Sequence, residues 1–386
     1  MSQSYIPFHR PYITDDEINE VTDAVKSGWW TAGPKTLQFE HEFKSFIGIK
    51  NSIAVNSWTA AAHLALEAIG LKAGDEVIVP AITFTASAEI ACYFNAKPVI
   101  VDVQRDTYNI DPELIEKAIT KKTRAIIPVH YGGQPCDMDE IIYIAKTNNL
   151  CIIEDAAHAL PSYYKGKIIG QLSDVTCFSF YATKTLATGE GGMICTDNDE
   201  IAARCSIMRL HGINSDAWKR YSEEGSWYYE VVAPGFKYNF TDIQAGLGLA
   251  QLKKLNEMQV KRKEIFDLYN EGFRDNELIR LYKIKDDRIS SHHLYPVELN
   301  LSRLTINRSR FIDELKERGV GVSVHFIPLY RHPYYQQTFN LKSEDYPVSE
   351  TVYPGLITLP IWPGMKISQI EQVIDNVNSL MKKFTK

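Results

Sequence analysis

The chain has 386 residues, 45% of them hydrophobic and 23% charged, with a net charge of −6, which is the composition of an ordinary globular protein with a sizeable core. No basic run indicates a nucleic-acid or membrane partner, and no apolar stretch approaches the roughly 18 residues that span a bilayer. The N-terminus lacks the apolar segment of a secretory signal, and six scattered cysteines without CxxC spacing are typical of reduced core residues. We therefore expect a cytoplasmic protein without a metal site.

The first part of the chain predicts two helices and then a strand that leads directly into a third helix. Thr14 before an acidic first turn is an N-cap pattern, with the first helix ending near residue 27, and residues 37–46 predict an amphipathic helix. A short strand over 53–55 is followed by the turn Asn56-Ser57-Trp58-Thr59 and an alanine-rich helix over 60–69. A strand, a polar turn and a helix N-terminus make an anion site, because free N–H groups and the helix dipole point at it. The alternative is that Ser57 and Thr59 only cap the helix.

Strands and helices then alternate. The strands are continuously apolar, which is expected when helices cover both faces of a sheet, and the alternation implies parallel pairing. We therefore predict an α/β fold with a mostly parallel central sheet. Ligands bind at the carboxyl ends of the strands in such sheets, where Asp155, Tyr181 and the turn after Val55 fall. The predicted strands cover residues 76–80, 98–102, 125–129, 150–155, 175–181 and 193–195, and the predicted helices 85–94, 112–119, 138–146 and 201–209.

The last third of the chain predicts a second, smaller unit. Residues 211–229 form a loop rich in aromatic and charged side chains. We expect a large α/β domain over 1–254 and a small C-terminal α+β domain over 255–386, with the first 14 residues or so packing on the small domain. The predicted helices here cover residues 243–255, 257–273, 308–318 and 368–382, and the predicted strands 293–299 and 321–326.

A single lysine, Lys184, stands out between two apolar runs, beside the turn Gly189-Glu190-Gly191-Gly192. Burial there lowers the pKa of a lysine and frees its amine for imine chemistry, although a solvent-exposed lysine at a strand end is the alternative. Asp155 ends a buried strand upstream. A lysine, a buried carboxylate and an anion-binding helix turn are what pyridoxal 5′-phosphate (PLP) needs for its imine, its ring nitrogen and its phosphate.

Seven motifs in order then carry a resemblance to a known family. None of them is sufficient alone, but together they run through nearly the whole chain. The sequence resembles the DegT/DnrJ/EryC1/StrS family of nucleotide-sugar aminotransferases, which have the fold type I aminotransferase architecture. The motifs are TAGP at 31–34, GDEVIVP at 74–80, IPVHYGG at 127–133, IEDAAHA at 153–159, FSFYATK at 178–184, GEGG at 189–192 and KYNFTD at 237–242.

The resemblance implies a role for each matching position. Lys184 is similar to the Schiff-base lysine that also moves the proton, Asp155 to the carboxylate at the ring nitrogen, and His158 to a side chain beside the ring. Without the motif, His158 would be interpreted as a core side chain. The further cofactor contacts that the resemblance implies are Phe84 stacking on the ring, Ser179 on the phosphate, Thr59 and Ala60 at the phosphate-binding helix start, and Asn239 on the phosphate of the neighbouring subunit of a homodimer with shared sites.

One position departs from the family pattern. Trp58 stands where the family usually has a small residue, between the serine and the threonine of the turn. Its ring either lies against the cofactor or sugar or packs away from the turn.

The implied reaction is a transamination in two stages. L-glutamate gives its amine to PLP, and the resulting pyridoxamine phosphate aminates a keto sugar. Relatives that act as dehydratases have histidine in place of Lys184, so the lysine favours amine transfer. The resemblance is closest to enzymes that aminate C4 of UDP- or GDP-4-keto sugars for lipopolysaccharide, O-antigen or other surface glycans. The candidate substrate contacts are Thr31, Arg209, His211, Lys237 and His325, each with a surface or packing role as its alternative.

Three other functions stay open. One is C3 amination of a dTDP-linked 3-keto sugar, and another is a PLP-dependent sugar dehydratase. The third is a regulatory protein that keeps the cofactor pocket without catalysis. A DNA-binding extension would favour this third function, and the sequence shows none.

Overall fold

The computed structural model describes residues 5–214 and 228–386. The first helix begins where the sequence predicts, because the Glu17 carboxylate accepts a 2.8 Å hydrogen bond from the Thr14 amide. The helices up to residue 208 are α1 (Asp15–Lys26), α2 (Pro34–Ile47), α3 (Trp58–Ala68), α4 (Ala86–Cys92), α5 (Pro112–Ala118), α6 (Met138–Asn148) and α7 (Asp199–Met208). The strands are β1 (Asn51–Val55), β2 (Glu76–Pro80), β3 (Lys97–Val101), β4 (Thr123–Ile126), β5 (Cys151–Asp155), β6 (Tyr163–Tyr164), β7 (Lys167–Ile168), β8 (Val175–Ser179) and β9 (Gly192–Thr196).

A seven-stranded sheet in the order β1-β9-β8-β5-β4-β2-β3 forms the centre of the fold. Strands β3, β2, β4, β5 and β8 are parallel, whereas β9 is antiparallel to both β8 and β1. The predicted, mostly parallel sheet is therefore confirmed. Because β9 runs the opposite way, its first residue, Gly192, lies opposite Val55 at the end of β1 and Ser179 at the end of β8. These ends meet at one edge, together with Asp155 at the end of β5.

Two hydrophobic clusters cover the two faces of this sheet. One contains the rings of Phe39 and Phe43 from α2, which pack on Phe178 in β8 and on Phe180 just after it. The ring centroids in the pairs Phe39–Phe180, Phe43–Phe178 and Phe43–Phe180 lie 5.2–5.6 Å apart. The other contains the alanine-rich α3, whose small side chains let the helix lie close to the sheet. Burial of both faces explains why these strands read as continuous apolar runs.

The C-terminal part builds a second core around a small antiparallel sheet. Ile6 from the N-terminal segment pairs with Val320, and its side chain lies in this core. The division into domains at residue 254 stays a prediction. The helices are α8 (Asp242–Lys253), α9 (Leu255–Phe273), α10 (Arg308–Glu317), α11 (Pro333–Phe339), α12 (Pro347–Val352) and α13 (Ile367–Phe384), and the strands β10 (Ile279–Leu281), β11 (Arg288–Ile289), β12 (Tyr295–Leu299) and β13 (Leu356–Leu359). The sheets are β10-β12-β13 and, with two strands from the first part, β11-β6-β7.

The predicted strand over residues 321–326 is wrong. Its backbone pairs with β13 at one point only, where Ser323 and Thr358 exchange hydrogen bonds of 3.1 and 2.8 Å. The Tyr131 hydroxyl then donates to the His325 carbonyl at 2.5 Å, which directs this segment away from the sheet and towards the edge described above. Most of the predicted loop over 211–229 lies outside the described residues. None of the described helices is long and apolar enough to cross a membrane.

Candidate active site

A cavity of about 400 Å³ opens at the edge where the carboxyl ends of β5 and β8 meet. Its walls come from the turn before α3, the turn before α4, the residues after β5 and β8, and the segments 293–294 and 323–326. Seven of the side chains predicted for the site line this one cavity. They are Thr59, Phe84, Asp155, His158, Ser179, Lys184 and His325.

The turn before α3 has the geometry of an anion cradle. The Ser57 side chain accepts a 3.0 Å hydrogen bond from the Ala60 amide, and the Ser57 carbonyl accepts from Ala61. The two preceding amides, of Trp58 and Thr59, are therefore the helix donors that the cap leaves for an anion. The Ala60 N–H is bonded to Ser57 here, and its contact with the phosphate stays a prediction.

Gly192 is what allows the sheet to lie directly beneath this cradle. A Cβ atom at position 192 would lie 2.6 Å from the Ser57 carbonyl oxygen and 2.9 Å from the Trp58 nitrogen. Both contacts are with backbone, which has no rotamer to give way. The last glycine of the GEGG motif thus serves close approach of two backbone segments.

Trp58 packs inward instead of projecting from the turn. Its indole N–H donates to the Cys177 carbonyl at 3.0 Å, and the side chain is 6% exposed. The ring therefore joins the cradle to strand β8 and also forms part of the cavity wall. Of the two alternatives open from the sequence, packing is the one that the hydrogen bond supports.

Asp155 lies buried at the floor of the cavity with both carboxylate oxygens engaged. One accepts from the Ser87 hydroxyl at 2.9 Å and the other from the Ala157 amide at 3.1 Å. Burial raises the pKa of Asp155, while these two donors and Lys184 act in the opposite direction. Ser87 was missed by the sequence reasoning, and its hydroxyl is itself held by Thr83 at 2.9 Å. A run of hydroxyl residues directly after a buried strand was the available indication.

Lys184 shares the cavity with this carboxylate. Burial lowers the pKa of Lys184 to about 8, against an opposing effect of Asp155. About a tenth of the amine is therefore neutral at pH 7, and the neutral amine is the form that attacks a carbonyl. The alternative of a lysine pointing into water is wrong for this chain.

The ring of His158 stands beside the lysine as a neutral hydrogen-bond donor. Burial and the charge of Lys184 hold the pKa of His158 well below its usual value. Its Nδ1 accepts from the Gly132 amide at 3.3 Å, so we assign the proton of the neutral ring to Nε2. The ring centroid lies 4.5 Å from that of His293 and 5.8 Å from that of Phe326. The sequence reasoning missed both neighbours, because they come from the C-terminal part of the chain.

Phe84 is exposed at the mouth of the cavity. Its side chain is 60% exposed, and its ring centroid lies 6.0 Å from that of Phe326. His325 lies in the wall with its ring 5.4 Å from Phe8, and its Nδ1 is 3.0 Å from the Thr358 hydroxyl. A plain core role for Phe84 is excluded by this exposure.

Six predicted contacts do not line the cavity of their own chain. Arg209 is corrected as a substrate ligand, because its guanidinium is paired with Glu40 and donates to the Ala54 carbonyl at 2.9 Å. Lys237 is exposed, and its amine donates to the Asn239 side chain at 2.5 Å. The six residues outside the lining are Thr31, Ala60, Arg209, His211, Lys237 and Asn239.

Comparison with known proteins identifies the family. Residues 11–378 match the DegT/DnrJ/EryC1/StrS aminotransferase family. The chain belongs to this family. It is 53% identical over 380 residues to the uncharacterized protein MJ1066 of Methanocaldococcus jannaschii, covering 98% of each chain. It is 45% identical over 379 residues to the spore coat polysaccharide biosynthesis protein SpsC of Bacillus subtilis, covering 98% of this chain and 97% of SpsC.

A solved structure of a putative sugar aminotransferase has the same fold. The putative sugar aminotransferase Spr1654 of Streptococcus pneumoniae superimposes with a TM-score of 0.90 at 35% identity, covering 98% of this chain and 99% of that one. Spr1654 has been solved in PLP and PMP forms. The fold is thus that of the fold type I aminotransferases, and the protein is a PLP-dependent sugar aminotransferase that acts in nucleotide-sugar or glycan biosynthesis.

The residues of the cavity fit this cofactor. A buried carboxylate, a lysine with a lowered pKa and a helix N-terminus with two available amides all face one space. These are the groups that a protonated ring nitrogen, an aldehyde and a phosphate require.

Proposed function

We propose that the protein moves the amino group of L-glutamate onto C4 of a UDP- or GDP-linked 4-keto sugar, for lipopolysaccharide, O-antigen or another surface glycan. The observation that carries the proposal is the meeting of Lys184, Asp155 and His158 in one cavity. The role of SpsC in spore coat polysaccharide biosynthesis supports a surface glycan as the destination. The alternatives from the sequence, C3 amination and dehydration, are outcomes of the test below.

In this proposal, each residue of the cavity has one task. When bound, PLP accepts the amino group and stabilises the negative charge that develops on the neighbouring carbon. Lys184 takes the proton from the donor carbon and later returns one to the sugar carbon, which its pKa of about 8 permits near neutral pH. Asp155 holds a proton on the ring nitrogen through its negative charge. His158 would donate a hydrogen bond from its Nε2–H to the phenolic oxygen on the cofactor ring.

The remaining predicted contacts have supporting roles. Ser179 and the amides of Trp58 and Thr59 hold the phosphate, and Phe84 covers the ring face from the mouth of the cavity. His325, whose pKa burial lowers to about 3, is neutral and offers a hydrogen bond to the sugar. We assign no substrate contact to Arg209.

We also propose that the working unit is a homodimer with shared sites. Asn239, Lys237, Thr31 and His211 lie outside the cavity of their own chain, so a partner's cavity is where they would act. Exposed apolar side chains in neighbouring parts of the sequence, Trp30 at 60% among them, favour a covered surface.

Mixing two inactive variants tests this arrangement. Lys184→Ala and Asn239→Ala chains are refolded or exchanged together. If the sites are shared, each mixed dimer has one intact site, and random pairing restores about a quarter of the wild-type activity. No recovery, with mixed dimers shown by mass spectrometry, would contradict sharing.

A substrate panel tests the reaction. Purified protein is given PLP, glutamate and UDP-, GDP- or dTDP-linked 4-keto and 3-keto sugars, and the products are identified by mass and NMR. We expect 2-oxoglutarate and a C4 amine from a UDP- or GDP-linked sugar. A C3 amine would favour the first alternative, and loss of water without amine transfer would favour the dehydratase.

A further inference from the structure

A group of unpartnered polar atoms lies behind the active site. Within residues 5–214 and 228–386, seven buried side-chain nitrogen or oxygen atoms have no hydrogen-bond partner. Two of them, on Tyr330 and Gln372, belong to other parts of the fold. The other five come from three segments that pack together: His9 Nε2, Gln259 Oε1, Arg262 Nε, His292 Nδ1 and His293 Nδ1.

The contacts of Arg262 place this group in one region. From helix α9 its Nη1 reaches the His293 carbonyl at 3.5 Å and the Ile361 carbonyl at 3.2 Å. Its charge lowers the pKa of His9 and of His292, in both cases as a smaller cause than burial. Gln259, one turn earlier on the same helix, donates to the Ser290 carbonyl at 2.7 Å. We call these five side chains together the α9 chamber.

The α9 chamber adjoins the active-site cavity through His293. This side chain lines the cavity, and its ring lies 4.5 Å from that of His158. The charge of Lys184 acts on both His9 and His293, and the side chain of His9 bonds the Ala182 backbone two residues before the lysine. The other charged or titratable groups that act on the chamber are His325, Lys263 and Asp267.

Arg262 is the residue that most needs an explanation. It is 1% exposed, and its described partners are backbone carbonyls instead of a carboxylate. Burial lowers the pKa of this guanidinium to about 10. A buried cation with an unbonded N–H is costly, so a polar occupant is expected at Nε.

The chemistry of the five atoms selects the occupant. Arg262 Nε can only donate, whereas Gln259 Oε1 can only accept, since the amide orientation is fixed by the Ser290 carbonyl. The imidazole nitrogens do either. An anion would satisfy the arginine but be repelled by the amide oxygen, and an apolar group would satisfy neither. Water donates and accepts, and buried water typically makes about three such bonds.

We propose that the α9 chamber holds ordered water molecules and that this water exchanges protons with the Lys184 amine through His9 and His293. The second half of this statement rests on the proposed transamination, in which the lysine gains and loses a proton in each stage. The first half rests on the chamber alone. Gln259 and Arg262 are positioning residues here, because they act through the water.

A high-resolution crystal structure of the holoenzyme tests the chamber. We expect an ordered water within hydrogen-bond distance of Arg262 Nε and another at Gln259 Oε1. In Gln259→Leu we expect the second water to be lost, whereas Gln372→Leu, which removes an unpartnered amide elsewhere, leaves both. Density for an anion, or direct pairing of the five atoms with one another, would overturn the proposal.

A kinetic experiment tests the proton path. The reaction of the PLP enzyme with glutamate alone is followed by absorbance in H₂O and D₂O, so that it does not depend on which sugar is the acceptor. We expect Gln259→Leu and Arg262→Met to lower the rate constant at saturating glutamate by about tenfold, to change its solvent isotope effect, and to leave the glutamate concentration for half-saturation unchanged. Gln372→Leu should match wild type.

The outcomes are separable. Wild-type rates and isotope effects in folded Gln259→Leu and Arg262→Met, checked by circular dichroism, would overturn the proton path even if the waters are present. A protein that fails to react with glutamate in any form would instead overturn the proposed function. Should Arg262→Met not fold, Gln259→Leu alone decides.

Discussion

The proposed role of Lys184 as the residue that captures the cofactor predicts a pH dependence, which follows from the environment of this lysine. Burial lowers the pKa of Lys184 to about 8. At pH 7, about 9% of the amine is then neutral, compared with about 0.03% for a lysine of ordinary pKa near 10.5, an advantage of about 300-fold. Only the neutral amine attacks the cofactor aldehyde. The rate of capture should therefore rise tenfold per pH unit below pH 8 and level off above it.

Stopped-flow absorbance on cofactor-free protein measures this rate between pH 6 and 10. A small free amine of ordinary pKa, measured in parallel, corrects for ionisation of the cofactor itself. In Asp155→Asn the break in the profile should move below that of wild type, because the carboxylate supports the charged lysine. A wild-type break near pH 10, or an upward shift in Asp155→Asn, would refute the reasoning.

Three further substitutions test the local geometry. Gly192→Ala should destabilise the protein by about 1–3 kcal/mol and weaken PLP binding, because the new Cβ would lie 2.6 Å from the Ser57 carbonyl oxygen. Gly364→Ala is the matched control, because a Cβ there has no neighbour nearer than 3.6 Å. Urea unfolding measures the stability of both variants, and a PLP titration measures their cofactor binding. Trp58→Phe should cost about 1 kcal/mol in urea unfolding through the lost indole hydrogen bond, and unchanged stability would contradict it. Arg209→Gln should lower the melting temperature, because Glu40 loses its partner, and leave KM for the sugar unchanged; a raised KM would restore the substrate role.

The sequence predicted those parts of the site that lie in one local pattern. Asp155 at a strand end and the turn before α3 are such parts, because the edge where parallel strands end is fixed by topology. His293 and Phe326 escaped prediction, since they reach the cavity only through packing of the C-terminal part. Arg209 was misassigned for a related reason. The charge of Arg209 is visible in the sequence, but its partner Glu40 lies far away along the chain, and no local sequence pattern indicates that the two residues pair.

The predicted strand over 321–326 failed on a different ground. Its alternation suits a strand, but a strand needs a partner along its whole length, and here the partner ends after one pair. The departure brings His325 and Phe326 into the cavity wall. The alternating pattern therefore failed to predict the structure of a segment that lines the site, and functional sites are where such local patterns are expected to fail.

The balance of charges in the cavity favours a dimer in which the partner contributes a positive charge to the site. Among the described residues that line it, Lys184 is the only lysine or arginine, and His158, His293 and His325 are kept neutral by burial. The phosphate of the cofactor and the diphosphate of the proposed nucleotide-sugar substrate would thus meet helix dipoles and hydroxyls in one chain, but no second fixed cation. A partner's exposed lysine at position 237 would supply one. We therefore expect dilution below the dimer dissociation constant to release PLP, measured by fluorescence, and expect Lys237→Gln to weaken nucleotide-sugar binding more than PLP binding. Retention of PLP by a monomer shown by light scattering would contradict this view of the dimer.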